Sequence, residues 1–123
     1  MKNANLKIFE LLSPKYERDN IKLGLSRIKK ALQELGNPCK SIPAIQIIGT
    51  NGKGSIAAYL ESILFEAKCN FGVTTSPHLF DICERIRVNK KNINKNDFEK
   101  IYKLIEKNFS KFELTPFEKI ICF

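Results

Sequence analysis

The most constraining stretch of the chain is IIGTNGKGSIAAYLESIL, Ile47 to Leu64, where an apolar run passes through Gly49, Gly52 and Gly54 around Lys53 into a helical pattern. Glycines let a backbone curl without Cβ clashes. A helix start aims free N–H groups at an anion, and a lysine supplies a mobile cation. The combination reads as a phosphate loop between a strand and a helix. The strict pattern G-x-x-x-x-G-K-[ST] is missed twice: Ile47 stands where its first glycine belongs, and Gly54 separates Lys53 from Ser55. The plainer reading is a glycine turn with a solvated Lys53. Ser55 would either approach a phosphate or metal, or cap the helix.

The surroundings supply the expected context. Ala44 to Ile48 reads as a short strand of the buried parallel type, Ile56, Tyr59, Leu60, Ile63, Leu64 and Ala67 recur at helical spacing, and Phe71 to Thr75 reads as a second strand. This has the length of a βαβ crossover, with the second strand parallel to the first. Upstream, Leu6 to Leu12 predicts a short helix ended by Ser13 and Pro14. From Ile21, the set Leu25, Ile28, Leu32 and Leu35 predicts an amphipathic helix stopped by Gly36 and Pro38. Downstream, Arg85 to Val88 with a turn at Asn89 to Asn92 predicts a hairpin. Asn94 or Asn96 would cap a helix burying Phe98, Ile101, Tyr102, Ile105 and Phe109. Thr115 and Pro116 open a last helix with Phe117, Ile120 and Ile121 on one face. Two parallel strands fall short of the ~5 or more of a doubly wound sheet, so the sheet expected here is incomplete.

Composition narrows the partners. With 123 residues, 43% of them apolar and 28% charged, the chain is at most one ordinary globular domain. Its net charge is +8, but the lysines are scattered without interleaved aromatics, which argues for a lysine-rich surface and against a nucleic-acid face. Cys39, Cys69, Cys83 and Cys122 form no C-x-x-C pair, so reduced cytoplasmic thiols are expected and a metal-binding cysteine set is not. Lys7 and Glu10 interrupt the first apolar residues, which excludes a signal h-region, and no run approaches the ~18 apolar residues of a membrane span.

The blocks GLSRI at Gly24 to Ile28, GTNGKGS at Gly49 to Ser55, TTSPHL at Thr74 to Leu79, ERIRVN at Glu84 to Asn89 and LTPFE at Leu114 to Glu118 resemble the dihydrofolate synthase and folylpolyglutamate synthase group of the Mur ligase superfamily. That group uses the loop variant with glycine between lysine and hydroxyl. The resemblance implies an α/β fold of the P-loop-containing Mur ligase central type. Residues 1–123 would be the N-terminal part of that ATP-binding domain, with N-terminal helices in the same domain, an incomplete parallel sheet and no C-terminal glutamate ligase domain. It implies ATP binding by Thr50, Asn51, Gly52, Lys53, Gly54 and Ser55, and magnesium binding by the Ser76 hydroxyl. Lys22, Leu23 and Gly24 would face the pteridine-bearing substrate, as would Thr115, Pro116, Phe117 and Glu118.

Each carries a plainer reading. Ser76 before Pro77 suits a turn, as open α/β sheets also gather ligands at such strand ends. Leu23 and Phe117 suit a core, and Glu118 suits a first-turn carboxylate. His78 fits loop packing better than catalysis. Glu84 and Arg85 either order the substrate loop or form an exposed hairpin ion pair. Cys83 and Pro116 depart from the family, which often has Asn and an aromatic there.

The activity implied is ATP-dependent amide formation: a substrate carboxylate takes the γ-phosphoryl group, and the amine of L-glutamate then displaces phosphate. Dihydropteroate or a folate would be the acceptor, in folate biosynthesis and one-carbon metabolism, and the full-length family is expected to be monomeric and cytoplasmic. The 123 residues alone are expected to be inactive. A stand-alone nucleotide-binding or interaction module is the alternative; a nucleic-acid binder would betray itself by steep salt dependence.

Overall fold

The computed structural model describes residues 21–123, so the helix expected at Leu6 to Leu12 lies outside the described residues. The chain forms two compact units.

The unit spanning Ala44–Lys95 carries the glycine loop. Helix α2, Lys53–Glu66, follows the loop directly. (Helix α1 belongs to the other unit and is Ser26–Glu34.) Strand β1, Gly72–Thr74, pairs antiparallel with β2, Ile86–Val88, in the register Gly72↔Val88, Val73↔Arg87 and Thr74↔Ile86. Strand β3, Lys91–Asn92, completes a three-stranded antiparallel sheet in the order β1-β2-β3. The expected hairpin forms with a tighter turn than Asn89 to Asn92, since Lys91 and Asn92 pair in β3: Asn89 and Lys90 both take positive φ, 48° and 67°, the backbone of a two-residue turn whose twist matches its strands. Asn89 also accepts from the Phe71 N–H through its side chain at 3.0 Å, fixing the start of β1.

The parallel crossover is a correction. Residues 44–48 join no strand ladder among the described residues, and Ile45 and Ile48 are 68% and 80% exposed. Apolar runs become buried parallel strands only with a neighbour on the ladder. Strand β1 instead takes β2, which an eleven-residue connection brings back antiparallel, a return that parallel pairing does not permit over so short a link. The α2 stripe shifts for the same reason. A sheet of two- and three-residue strands covers the side carrying Ala57 and Glu61, both buried, with Leu60 and Leu64 half-buried, and leaves Ile56, Tyr59 and Ile63 exposed.

The other unit combines residues 21–43 with 96–123. Helix α1 stops as expected, at Gly36 with φ 79° and Asn37 with φ 52° ahead of a 3-10 turn at Pro38–Ser41. Its buried residues are Ile28 and Ala31, whereas Leu25 and Leu35 are exposed. Helix α3, Lys95–Phe109, buries Phe98, Tyr102, Ile105 and Phe109, matching the predicted stripe. It starts one residue past Asn94, so Asn96 lies inside it. A short 3-10 turn at Ser110–Phe112 leads to α4, Pro116–Ile121. Ala31, Ile105, Phe109 and Leu114 form one apolar cluster, flanked by Ile101, Phe112, Cys122 and Phe123. The Phe98 ring meets that of Phe123 at 4.8 Å between centroids. Lys119 caps the exposed rim, its ammonium 5.2 Å from the Tyr102 ring centre and 3.0 Å from Glu106.

Candidate functional site

The loop's conformation follows from its glycines. Gly49 has φ 148° and Gly52 φ 77°, left-handed backbone that L side chains rarely adopt, and a Cβ on Gly52 or Gly54 would meet nothing within 4 Å. Gly52 is the N-cap of α2, Lys53 its first residue and Gly54 and Ser55 its next two, with no side-chain cap. Ser55 therefore does not cap the helix, because the glycine turn has already placed the boundary three residues earlier. The first-turn N–H groups of a helix have no intrahelical acceptor, and α2, with fourteen residues, sums a substantial dipole behind them. The Lys53 ammonium folds back over the loop, donating to the Gly49 carbonyl at 2.6 Å and the Thr50 carbonyl at 3.2 Å. Thr50, Asn51, Gly52, Lys53, Gly54 and Ser55 are all exposed. Open space in front of the glycines, free N–H groups and a cation resting on carbonyls that a stronger anion would replace all fit a phosphate chain.

Ser76 is exposed, two residues past the end of β1. Its neighbours are firmly held. Glu84 accepts from the N–H groups of Leu79 at 2.9 Å, Phe80 at 3.0 Å and Asp81 at 2.8 Å, and Asp81 accepts from Cys83 N–H at 3.0 Å, a reciprocal capping box. Arg85 is fully buried and donates through Nε to Nδ1 of His78 at 3.0 Å, so His78 has the packing role expected of it. The exposed ion-pair reading of Glu84 and Arg85 is thereby replaced: burial commits the arginine, and backbone N–H groups commit the carboxylate. Among the described residues no three His, Cys, Asp or Glu side chains group as a metal site. A lone Ser76 hydroxyl suits magnesium only with phosphate oxygens and water as further ligands, the company that ion ordinarily keeps.

The capping N–H groups hold both carboxylates below their usual range. For Asp81 the Cys83 N–H is the main cause, with Lys95 assisting; for Glu84 it is the Leu79 N–H, then those of Asp81 and Phe80. A depressed carboxylate contributes stability in full above its unfolded pKa of about 4 and loses it as pH falls through the native value. Thermal melts should therefore show an acid-side loss of stability, with a shallower acid-side slope in Asp81→Asn, whose side chain still accepts a hydrogen bond.

Burial, aided by the Asp81 carboxylate, pushes the Cys83 thiol up to about 12, and burial raises Cys122 too. Only Cys39 and Cys69 are exposed. An aromatic disulfide reagent at pH 8 should accordingly modify these two rapidly and reach Cys83 only after unfolding; unchanged fast labelling in Cys83→Ser would verify the assignment.

In the other unit the two segments expected to face substrate are tied together. Leu23 is 90% exposed and Phe117 44% exposed, so neither is core. Thr115 caps α4 by accepting from Glu118 N–H at 3.2 Å, while the Glu118 carboxylate accepts from Thr115 N–H at 2.8 Å, and Pro116 occupies the first helical position. Glu118 is therefore the first-turn carboxylate anticipated, and it is buried. Arg27 joins it to the first segment: its guanidinium lies 3.3 Å from both Glu118 oxygens and donates to the Lys22 carbonyl at 2.7 Å, with a longer 3.5 Å approach to that of Leu23. Sequence reasoning did not single out Arg27, nor the pair Glu61 and Arg87, although a carboxylate inside an apolar helical stripe signals a buried partner.

A glycine loop feeding the N-terminus of a long helix, beside a small sheet, is the arrangement of an α/β unit of the phosphate-loop class. The chain is 41% identical over 105 residues to the dihydrofolate synthetase of Saccharomyces cerevisiae, a match covering 83% of this chain and 24% of the yeast protein. Among solved structures, the folylpolyglutamate synthase of Mycobacterium tuberculosis complexed with ADP aligns over 98% of this chain and 28% of its own, at 28% identity and a TM-score of 0.84. A bifunctional folylpolyglutamate synthase/dihydrofolate synthase with Mn, AMPPNP and L-glutamate bound aligns over 95% and 27%, at 32% identity and a TM-score of 0.73. No protein-family model matches the chain. The chain belongs to the dihydrofolate synthase/folylpolyglutamate synthase family, and it spans about a quarter of the length of these relatives.

Proposed function

We propose that these residues hold Mg-ATP and the pteridine-bearing acceptor for a cytoplasmic ligase that joins L-glutamate to dihydropteroate or a folate. The observation that carries the reading is the Lys53 ammonium, 2.6 Å from the Gly49 carbonyl at the open N-terminus of α2. ATP, when bound, supplies the phosphoryl group that activates the acceptor carboxylate for attack by the amine of glutamate. The chain's own residues neutralise and align. The N–H groups at Gly52 to Ser55 and the Lys53 ammonium receive the phosphates, the Ser76 hydroxyl contributes to the magnesium shell, and Leu23 and Phe117 offer apolar surface to a flat ring. Lys22, Gly24, Thr115, Pro116 and Glu118 shape the segments that present it.

Binding and chemistry separate here. Loss of one preorganised stabiliser of transition-state charge lowers a rate ~10²-fold to 10³-fold, and a quarter of a relative's length carries only part of such a set. The purified 123-residue chain is therefore expected to bind Mg-ATP without measurable ATP- and glutamate-dependent ligation. Calorimetric titration with Mg-ATP tests the first statement and a glutamate incorporation assay the second. No heat of binding would overturn the nucleotide reading, and turnover would overturn the expected inactivity.

A further inference from the structure

We infer that Arg27 is the positioning residue for the acceptor, holding the 22–24 segment in its displayed conformation; this rests on the proposal that residues 22–24 and 115–118 face the acceptor. An extended, largely solvated segment has no reason to hold an apolar side chain out to water, yet Leu23 is 90% exposed. Two features fix it there. Gly24 has φ 103°, a backbone state that any side chain would strain, and it turns the preceding carbonyls back toward α1. Arg27, one turn into the chain that follows, receives them: Nη2 donates to the Lys22 carbonyl at 2.7 Å while Nε and Nη2 face the two oxygens of Glu118 at 3.3 Å.

The guanidinium is suited to this because its donors are fixed in one plane, so a single side chain can serve a carbonyl and a carboxylate together. A lysine is a point charge and can serve only one well. Glu118 is in turn held in place by hydrogen bonds, since it is buried and closes the capping box on Thr115. Arg27 thereby transmits the position of the α4 start to the 22–24 segment, and Lys22 adds only a loose exposed contact to Glu113 at 3.7 Å. Arg27 touches no ligand in this scheme. It reduces the ordering that the acceptor would otherwise have to impose on binding.

The test is calorimetric titration of the 123-residue chain with dihydropteroate, for wild type, Arg27→Ala and Arg27→Lys, alongside amide hydrogen exchange. Wild type should bind, Arg27→Ala should bind about tenfold more weakly, and Arg27→Lys should recover only part of the loss. Exchange should accelerate at residues 22–25 in both variants and stay at the wild-type rate across Phe98 to Phe109. Should Arg27→Ala loosen that helix as well, Arg27→Lys decides: wild-type affinity with an intact helix would overturn the inference, and weakened affinity with an intact helix supports it. Wild-type binding unaffected by Arg27→Ala would overturn the positioning role alone. Absence of binding by wild type would overturn the acceptor-facing reading and this inference with it.

Discussion

Lys53→Ala is expected to weaken Mg-ATP binding by about ten- to a hundredfold, the equivalent of about 1.5–3 kcal/mol for lost hydrogen bonds to a charged group. The fold should survive, because Lys53 is exposed and its ammonium bonds the Gly49 and Thr50 carbonyls, which water can satisfy. Three effects compete. Loss of the cation removes the charge-assisted contacts to phosphate. Against this, wild type must release two carbonyl bonds before the ammonium can turn outward, which reduces its net advantage. The helix N-terminus persists in the variant and retains part of the affinity. The first effect wins because a phosphate chain offers the ammonium full negative charge and a carbonyl only a partial one. Lys53→Arg should recover little, since a planar fork does not fit a site built around a compact ammonium. The titration belongs near 0.15 M salt, where the Debye length is ~8 Å and the general pull of a +8 chain on a polyanion is largely screened. Equal affinities for wild type and Lys53→Ala would remove the phosphate-loop reading.

Local signals were legible in the sequence and pairing was not. The α1 stop at Gly36, the Thr115–Pro116 start and the α3 stripe, with Ile101 half-buried, depend on a few neighbouring residues and formed where expected, and the hairpin turn formed within its expected range, at Asn89 and Lys90. The glycine loop is equally local. Residues 44–48 failed because an apolar run does not say which strand it will meet, and β1 met β2. The helical period of α2 was right, but the face it buries was set by a sheet whose extent the sequence does not state. Leu23 and Phe117 show the same boundary: apolar character alone suits a core, the resemblance turns both toward a substrate, and the fold leaves both exposed. Arg27 was invisible for a further reason, since its role depends on Glu118, ninety-one residues away.

That dependence on distant partners also sets the largest stability effect. Glu61 on α2 is buried and pairs with Arg87 on β2, whose Nε lies 3.2 Å from each carboxylate oxygen. Arg87 reaches further, donating through Nη1 to the Glu84 carbonyl at 2.7 Å and to the Thr75 hydroxyl at 3.3 Å. Thr75 precedes Ser76, so one guanidinium ties the helix that follows the glycine loop to the segment that carries Ser76, the hydroxyl proposed for magnesium. Breaking a buried pair by removing one partner typically costs about 3–5 kcal/mol, because the other charge is left without compensation. Glu61→Ala should therefore lower the chain's stability by about 3 kcal/mol in a urea titration. Replacing both charges, Glu61→Leu with Arg87→Met, should restore most of that, since apolar pairs of similar volume often match a buried ion pair. The double variant nevertheless leaves the Thr75 hydroxyl and the Glu84 carbonyl without their arginine. ATP affinity should then lose its enhancement by magnesium even though stability has returned. If the double variant regains both stability and the full magnesium effect, Arg87 contributes packing alone and Ser76 owes its position to the Glu84 capping box.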